Sequence, residues 1–318
     1  LNGNELKTAF LFPGQGSQYV GMAKDLFDEF DSVKELFEKA STVLGYDLAH
    51  VCFTGPDEKL KLTAFTQPAI FIHSCAIDSV LKDNFVSPEC ASGHSLGEYS
   101  ALVSAGAIDL DSALAAIARR SAAMQEDCDS TSGAMTAIIG LDFAAVSGVL
   151  GSIDGIVVPA NYNYPDQIVI SGDSGAVEAA SQKLQEAGAK RVMPLPVSGA
   201  YHSPLMKGSS DNMKSHIAQM EFGDFRCPVY SNVSSEPVMD GGAFKDLLAK
   251  QILSPVMWYP ILQNLYRDGV RRFVEIGPGK VLQGTVWRSL DFTDIEILGI
   301  DSLDSLDQYM NDHARMRS

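Results

Sequence analysis

Runs of apolar residues with strand-like and helix-like periods alternate along the chain, and that alternation predicts an α/β protein. Thr8-Ala9-Phe10-Leu11-Phe12 is a short continuous apolar run, the pattern of a buried parallel strand. It ends in the turn-rich loop Pro13-Gly14-Gln15-Gly16-Ser17. Two amphipathic helices follow. The second carries a capping-box pattern at Ser32 and Glu35, apolar positions at Val33, Leu36, Phe37 and Ala40, and a stop at Gly45. A helix is predicted over 68–82. The short apolar stretch Cys90-Ala91-Ser92 then enters a glycine-bracketed turn, and a helix-like run from Leu96 to Ala105 stops at Gly106. A further helix is predicted from Asp111 to Met124.

The middle of the chain changes character. Strands are predicted at Ala134–Leu141, Ile156–Ala160, Gln167–Ser171 and Arg191–Val197, with the middle two joined by a turn over Asn161–Asp166. Helices are predicted at Asp142–Leu150 and Ser174–Ala187. This β-α-β-β-α-β order is that of a ferredoxin-like unit. The expectation is a small unit at 131–198 inserted into a larger α/β domain made of 1–130 and 199–318. The large domain resumes with Ser203 as N-cap and Pro204 opening a helix. Strands at Val229–Val233 and Arg272–Ile276, helices at Ala243–Leu253 and Val256–Arg267, a helix after Gly277-Pro278-Gly279 and a strand at Ile295–Ile300 complete the pattern.

The turn between Cys90 and Ala105 carries the chemistry. Gly93-His94-Ser95-Leu96-Gly97 is a G-x-S-x-G pentapeptide set between a strand and a helix, which is the layout of a nucleophile elbow. Such a turn exposes the serine hydroxyl and aims the following helix's N–H groups at the reacting centre. It predicts a covalent acyl-serine intermediate. A serine nucleophile needs a base. Of the six histidines, His94 is adjacent, but neighbouring side chains on a tight turn diverge. His73 lies on an apolar helix, as core histidines do. His202 lies on a glycine-containing loop just before a helix N-terminus, where it can meet a serine at a strand end.

Composition narrows the setting. The 318 residues are 46% hydrophobic and 20% charged, enough for a large core without covalent staples. Five scattered cysteines, an odd number without a C-x-x-C pair, read as buried thiols in a reducing compartment and not as a zinc site. No signal-peptide pattern and no bilayer-length apolar run is present, so a cytoplasmic location is expected. A net charge of −16 disfavours nucleic acid and anionic membranes as partners.

Four segments in register strongly resemble the malonyl-CoA:acyl carrier protein transacylases. They are Phe12-Pro13-Gly14-Gln15-Gly16-Ser17-Gln18, Gly93-His94-Ser95-Leu96-Gly97-Glu98, Gly199-Ala200-Tyr201-His202-Ser203 and Glu275-Ile276-Gly277-Pro278-Gly279-Lys280. The resemblance runs from about residue 8 to residue 285. It implies an α/β-hydrolase-like core with a parallel sheet plus an inserted ferredoxin-like small domain. It also implies transfer of a malonyl group from malonyl-CoA to the phosphopantetheine thiol of acyl carrier protein, with CoA as substrate and no cofactor or metal; a monomer is expected. By the same resemblance Ser95 is the nucleophile and His202 the base. The backbone N–H groups of Gln15 and Leu96 form the oxyanion hole, and Arg120 grips the malonyl carboxylate. Gln251 orients the histidine through its carbonyl, and Asn232 lines the site near it. From the residues alone Arg119 and Arg120 are rivals, since neighbours on a helix point about 100° apart. Tyr201, an aromatic residue before the histidine, implies malonyl over methylmalonyl. A trans-acting polyketide acyltransferase is the nearest alternative, and a serine thioesterase or esterase a more distant one. Acidic carrier proteins would need a basic docking patch on this acidic chain, with Lys190, Arg191, Arg271, Arg272, Lys280 and Arg288 as candidates.

Overall fold

The computed structural model describes residues 6–197, 199–290 and 293–317, with side chains through Arg315. Ser198, where the expected small unit ends, lies outside the described residues. Two sheets organise the chain. The larger is built from β1 (Thr8–Phe12), β2 (Cys90–Gly93), β7 (Val229–Tyr230), β8 (Pro237–Val238), β9 (Arg272–Ile276) and β10 (Glu296–Ile300). Its strand order is β10-β9-β1-β2-β7-β8, with β10 through β7 parallel and β8 antiparallel at the edge. The smaller sheet comprises β3 (Gly133–Ile139), β4 (Val157–Tyr164), β5 (Gln167–Asp173) and β6 (Arg191–Pro194), antiparallel throughout, in the order β4-β5-β3-β6.

This arrangement corrects the fold expected above. The core is not an α/β-hydrolase-like sheet carrying a ferredoxin-like insert. It is a mixed sheet with a strand order of its own, and the second sheet shares its core. Side chains alternate along the small sheet, as the period of two requires. Ile138, Ile168 and Ile170 face Val146, Leu150, Val177 and Leu184 of helices Phe143–Leu150 and Ser174–Glu186. Met135, Ala137 and Val169 face the other way and join one apolar cluster with Phe10, Phe12, Leu96 and Ile276 of the large unit. Backbone bonds sew the contact shut: Val256 N–H donates to Ala160 O at 2.8 Å, and Tyr162 N–H donates to Val256 O at 2.9 Å. Apolar runs and turn signals say which segments become strands. They do not say which strands become neighbours, because that depends on packing between distant segments.

Several local expectations shift for identifiable reasons. The helix expected over 68–82 runs from Thr63 to Asp83 with Pro68 inside it. Proline has no N–H to donate to the carbonyl four residues back, and the freed Ala64 carbonyl accepts the Tyr46 hydroxyl at 3.1 Å instead. The Ser32 capping box is not used, since that helix begins at Asp31 after Phe30 and stops at Gly45 with φ 74°. The Asn161–Asp166 turn is mostly strand, because bulges near Asn161 and Tyr164 let β4 run on to Tyr164. The strand expected over Val229–Val233 stops at Tyr230, which frees Asn232 for the site. A terminal helix, Leu303–Arg317, has no counterpart in the pattern reading. Among the described residues, no helix is long and apolar enough to cross a membrane.

Candidate active site

The loops leaving the carboxyl ends of three adjacent parallel strands converge. Gln15 follows β1, Ser95 follows β2 and Asn232 follows β7. In open α/β sheets that edge is where crevices form. Ser95 occupies the left-handed region at φ 53°, a strained conformation for a residue with a side chain. Two glycines make the turn possible by close approach. A Cβ on Gly93 would lie 1.9 Å from the Gly97 carbonyl carbon, and one on Gly97 would lie 2.1 Å from Phe12 O. Asn232 holds the turn in place: its Oδ1 accepts the Ser95 N–H at 2.7 Å, and its Nδ2 donates to Gly93 O at 2.6 Å.

Ser95 Oγ stands 2.8 Å from His202 Nε2. His202 is also left-handed, at φ 58°, and its Nδ1 faces the carbonyl oxygens of Gln251 and Ser254, each at 3.0 Å. Carbonyls only accept, so Nδ1 carries the proton and Nε2 accepts from the Ser95 hydroxyl. Burial, with the Arg120 charge nearby, drives the imidazole pKa down to about 3, against the weaker pull of the Gln251 carbonyl. The ring is therefore neutral at pH 7, the state a base requires.

Arg120 is fully buried in helix Leu110–Ser130. Its Nη2 donates to Ser95 Oγ at 3.0 Å and to Gln251 Oε1 at 3.1 Å, and its Nη1 donates to Gln67 Oε1 at 2.7 Å. All three partners are neutral. The neighbouring Arg119 is exposed and bonds Asn212 Oδ1 at 2.5 Å. A turn of about 100° per residue thus separates a surface arginine from a buried one. Gln15 and Leu96 line the cavity beside Ser95. Among the described residues, neither backbone N–H is engaged by a protein acceptor.

The cavity volume is about 110 Å³, and its walls include Gln67, Met124, Met135, Asn161, Leu195, Val197 and Tyr201. Met135, Asn161, Leu195 and Val197 come from the small sheet and the segment after it, so the second sheet roofs the first sheet's nucleophile. Larger clefts lie between β10 and the last helix (≈330 Å³) and along Phe37–Ala49 (≈640 Å³), but neither is lined by Ser95 or His202. Tyr201 donates or accepts with Thr63 Oγ1 at 2.5 Å and receives Gln15 Nε2 at 3.3 Å, which fixes its ring at the cavity edge.

The structure brings together Ser95, His202, Arg120, Gln251, Gln15 and Leu96. Asn232 hydrogen-bonds the nucleophile turn. His94 points away from the Ser95 hydroxyl, with Nε2 2.9 Å from Asn163 Oδ1, and His73 is wholly buried in its helix. Two residues went unassigned. Gln67, a polar residue in an apolar helix, holds Arg120. Glu98, the charged residue of the buried helix Gly97–Ser104, is fully buried. A charge or a side-chain amide among mostly buried positions was the available signal. All five cysteines are buried as free thiols.

Comparison with known proteins accords with this geometry. The profile of the acyl transferase domain matches residues 9–314. A malonyl CoA-acyl carrier protein transacylase of Bacillus subtilis is 42% identical over 283 residues, covering 88% of this chain and 89% of the relative. The crystal structure of an acyl carrier protein S-malonyltransferase from Vibrio cholerae superposes with a TM-score of 0.90 at 42% identity, covering 95% of this chain and 99% of that one. A malonyl-transacylase solved in complex with a type II PKS acyl-carrier protein superposes at 0.91 with 38% identity, covering 96% and 99%. The two-sheet arrangement is thus the α/β fold of acyltransferases, and the chain belongs to the acyl transferase family, among the malonyl-CoA:acyl carrier protein transacylases.

Proposed function

We propose that this enzyme transfers the malonyl group of malonyl-CoA to the phosphopantetheine thiol of an acyl carrier protein through a malonyl-Ser95 intermediate, supplying extender units for fatty-acid synthesis. One observation carries the reading: within one cavity, Ser95 Oγ lies within hydrogen-bonding distance of both a neutral histidine and a buried arginine. Ser95 Oγ attacks the thioester carbon while His202 Nε2 takes its proton. The N–H groups of Leu96 and Gln15 stabilise the tetrahedral oxyanion. The intermediate collapses, the C–S bond breaks, and His202 gives its proton to the departing CoA thiolate. The carrier's thiol then enters, loses its proton to His202 and attacks the ester. Ser95 leaves with that proton, and the carrier departs malonylated.

Arg120 supplies acyl choice. Its planar fork can hold the free carboxylate of a malonyl group bonded to Ser95, and an acetyl group leaves the guanidinium without that partner. This favours acyl transfer to a carrier over simple hydrolysis of esters, which needs no carboxylate seat. For carrier docking, the exposed Lys190 and Arg191 of the small sheet and Arg288 of helix Val281–Ser289 are the proposed face. Arg288 lies 5.6 Å over the Tyr164 ring, and Tyr164 also feels the Arg191 charge. Arg271 and Arg272 are weaker candidates, because Asp294 pairs with the first at 2.9 Å and Glu296 with the second at 2.7 Å. Likeness to the partner of a type II PKS carrier keeps polyketide supply as a second reading.

Intact-mass spectrometry tests the function directly. Incubation with malonyl-CoA should add one malonyl group to the parent and none to Ser95→Ala, and apo-free holo-carrier should then discharge it. A malonyl adduct retained by folded Ser95→Ala refutes the assignment. Parallel discharge by fatty-acid and polyketide carriers separates the two pathways.

A further inference from the structure

Glu98 takes no part in the chemistry above, yet it is fully buried one helical turn beyond the nucleophile. One carboxylate oxygen accepts the Asn232 backbone N–H at 2.6 Å, and the other accepts Gln251 Nε2 at 2.5 Å. Both donors belong to clamps on the reacting groups. Asn232 bridges Ser95 N and Gly93 O. Gln251 Nε2 also donates to Ser95 O at 2.9 Å, its Oε1 accepts Arg120 Nη2, and its backbone carbonyl accepts His202 Nδ1. An ionised carboxylate is an acceptor only, so it dictates which way the Gln251 amide faces. A flipped amide would set its oxygen against Glu98 and its NH₂ against Arg120. The orientation of the Arg120 fork therefore traces back to Glu98.

The charges follow the same line. Arg120 has only neutral groups at hydrogen-bonding distance, and Glu98 lies across the Gln251 amide from it. An acyl carboxylate against Arg120 brings a second anion to one buried cation. Two anions sharing one cation in a dry site do not both stay ionised, and a proton enters. The other groups packed around Glu98 are poor sites for it. Tyr99, on the same helix, is already neutral, its pKa pushed up to about 12 by burial. His202 is held down to about 3, and His94 is also lowered by burial. The segment after β7 contributes Ser231 and Asn232, and helix Gly241–Gln251 contributes Gln251. Burial already pushes the Glu98 carboxyl up to about 7, against the opposing pull of Asn232, Gln251 and Arg120.

We propose that Glu98 is a positioning residue of the acyl-transfer site and the resident counter-ion of Arg120, and that it takes up a proton from solvent when an acyl carboxylate settles against that arginine. The proposal rests on the reading of Arg120 as the malonyl seat. No bond to substrate changes in this step, and the proton returns to solvent when the malonyl group leaves.

The test uses the full chain. Ser95→Ala, which binds without reacting, is titrated calorimetrically at pH 7.5 with malonyl-CoA and with acetyl-CoA, in buffers of different ionisation enthalpy. Proton uptake is expected with malonyl-CoA, none with acetyl-CoA, and none with malonyl-CoA once Glu98→Gln is added. In the Ser95 background, Glu98→Gln should lower kcat for malonyl transfer by roughly 10–100-fold, through a donor set against a donor. Its malonyl KM should fall, because Arg120 no longer has a resident anion. A structural role alone would lower kcat for both acyl-CoAs and leave the proton count unchanged. If Glu98→Gln does not fold, Glu98→Asp decides: uptake must persist with a shifted pH midpoint. Malonyl-CoA binding without proton uptake, or uptake unaltered in Glu98→Gln or Glu98→Asp, overturns the proposal. A parent chain that malonyl-CoA does not acylate overturns the function and this proposal together, and that control is read separately by mass.

Discussion

Replacing Arg120 with alanine separates a carboxylate seat from a structural arginine. The guanidinium is fully buried, with Nη2 3.0 Å from the Ser95 hydroxyl. The carboxylate of a malonyl-serine lies three bonds from Oγ, within the reach of that fork. Two charge-assisted hydrogen bonds in a buried site contribute about 3–5 kcal/mol together. Their loss corresponds to a fall of roughly 10²–10⁴ in kcat/KM for malonyl-CoA. Acetyl-CoA has no carboxylate to lose, so its transfer should fall by less than about tenfold or rise. The ratio of the two specificity constants is the diagnostic quantity. Arg120→Lys keeps the charge and loses the fork, and should recover only part of the malonyl rate. Single-turnover acylation followed by intact mass measures both substrates, and a thermal melt checks the fold, because Gln67 Oε1 and Gln251 Oε1 each lose a donor. Equal losses with malonyl-CoA and acetyl-CoA in folded protein would refute the reasoning. So would a selective malonyl loss in Arg119→Ala.

Three further outcomes are expected. His202→Ala should slow acylation by about 10²–10⁴-fold, while His94→Ala, whose ring bonds Asn163, should cost less; the reverse order in folded variants would reassign the base. Stability should change only gently from pH 4.5 to 6.5, with a small net loss toward acid because His94 is also held down by burial. His202 and His73 are held by burial at about 3 and about 4 against 6.5 when unfolded, so each loses stability as pH falls below 6.5. Glu98 and Glu275 are pushed by burial to about 7 against 4.5 when unfolded, so each loses stability as pH rises from 4.5 through 7, and the slopes oppose. Melting curves across pH should show that gentle slope, Glu98→Gln should steepen it so that pH 5 falls further below pH 6.5, and a steep parental decline starting at 6.5 would contradict the scheme. Charge reversal at Lys190 and Arg191 should raise KM for the carrier and weaken its salt dependence while acylation by malonyl-CoA stays normal; two unaffected half-reactions would move the docking face elsewhere.

The linear pattern determined whatever is local. A five-residue apolar run has few alternatives to a buried strand, and the glycines of the Ser95 turn were legible because no Cβ fits where Gly93 meets Gly97 and Gly97 meets Phe12. Ser203 acts as the cap its position suggested, accepting a backbone N–H from the turn that follows. Contacts across long separations were not legible. Strand order came out differently from the expected α/β-hydrolase-like core, because neighbours such as β1 and β9 are chosen by packing between segments more than 250 residues apart. The choice between Arg119 and Arg120 needed the tertiary structure, since burial on a helix depends on what packs against each face. Glu98 shows the limit most plainly. As a letter it is an ordinary first-turn acid, favourable near a helix N-terminus. Only when Asn232 and Gln251, 134 and 153 residues away, close over it does it become a buried charge holding the site's clamps.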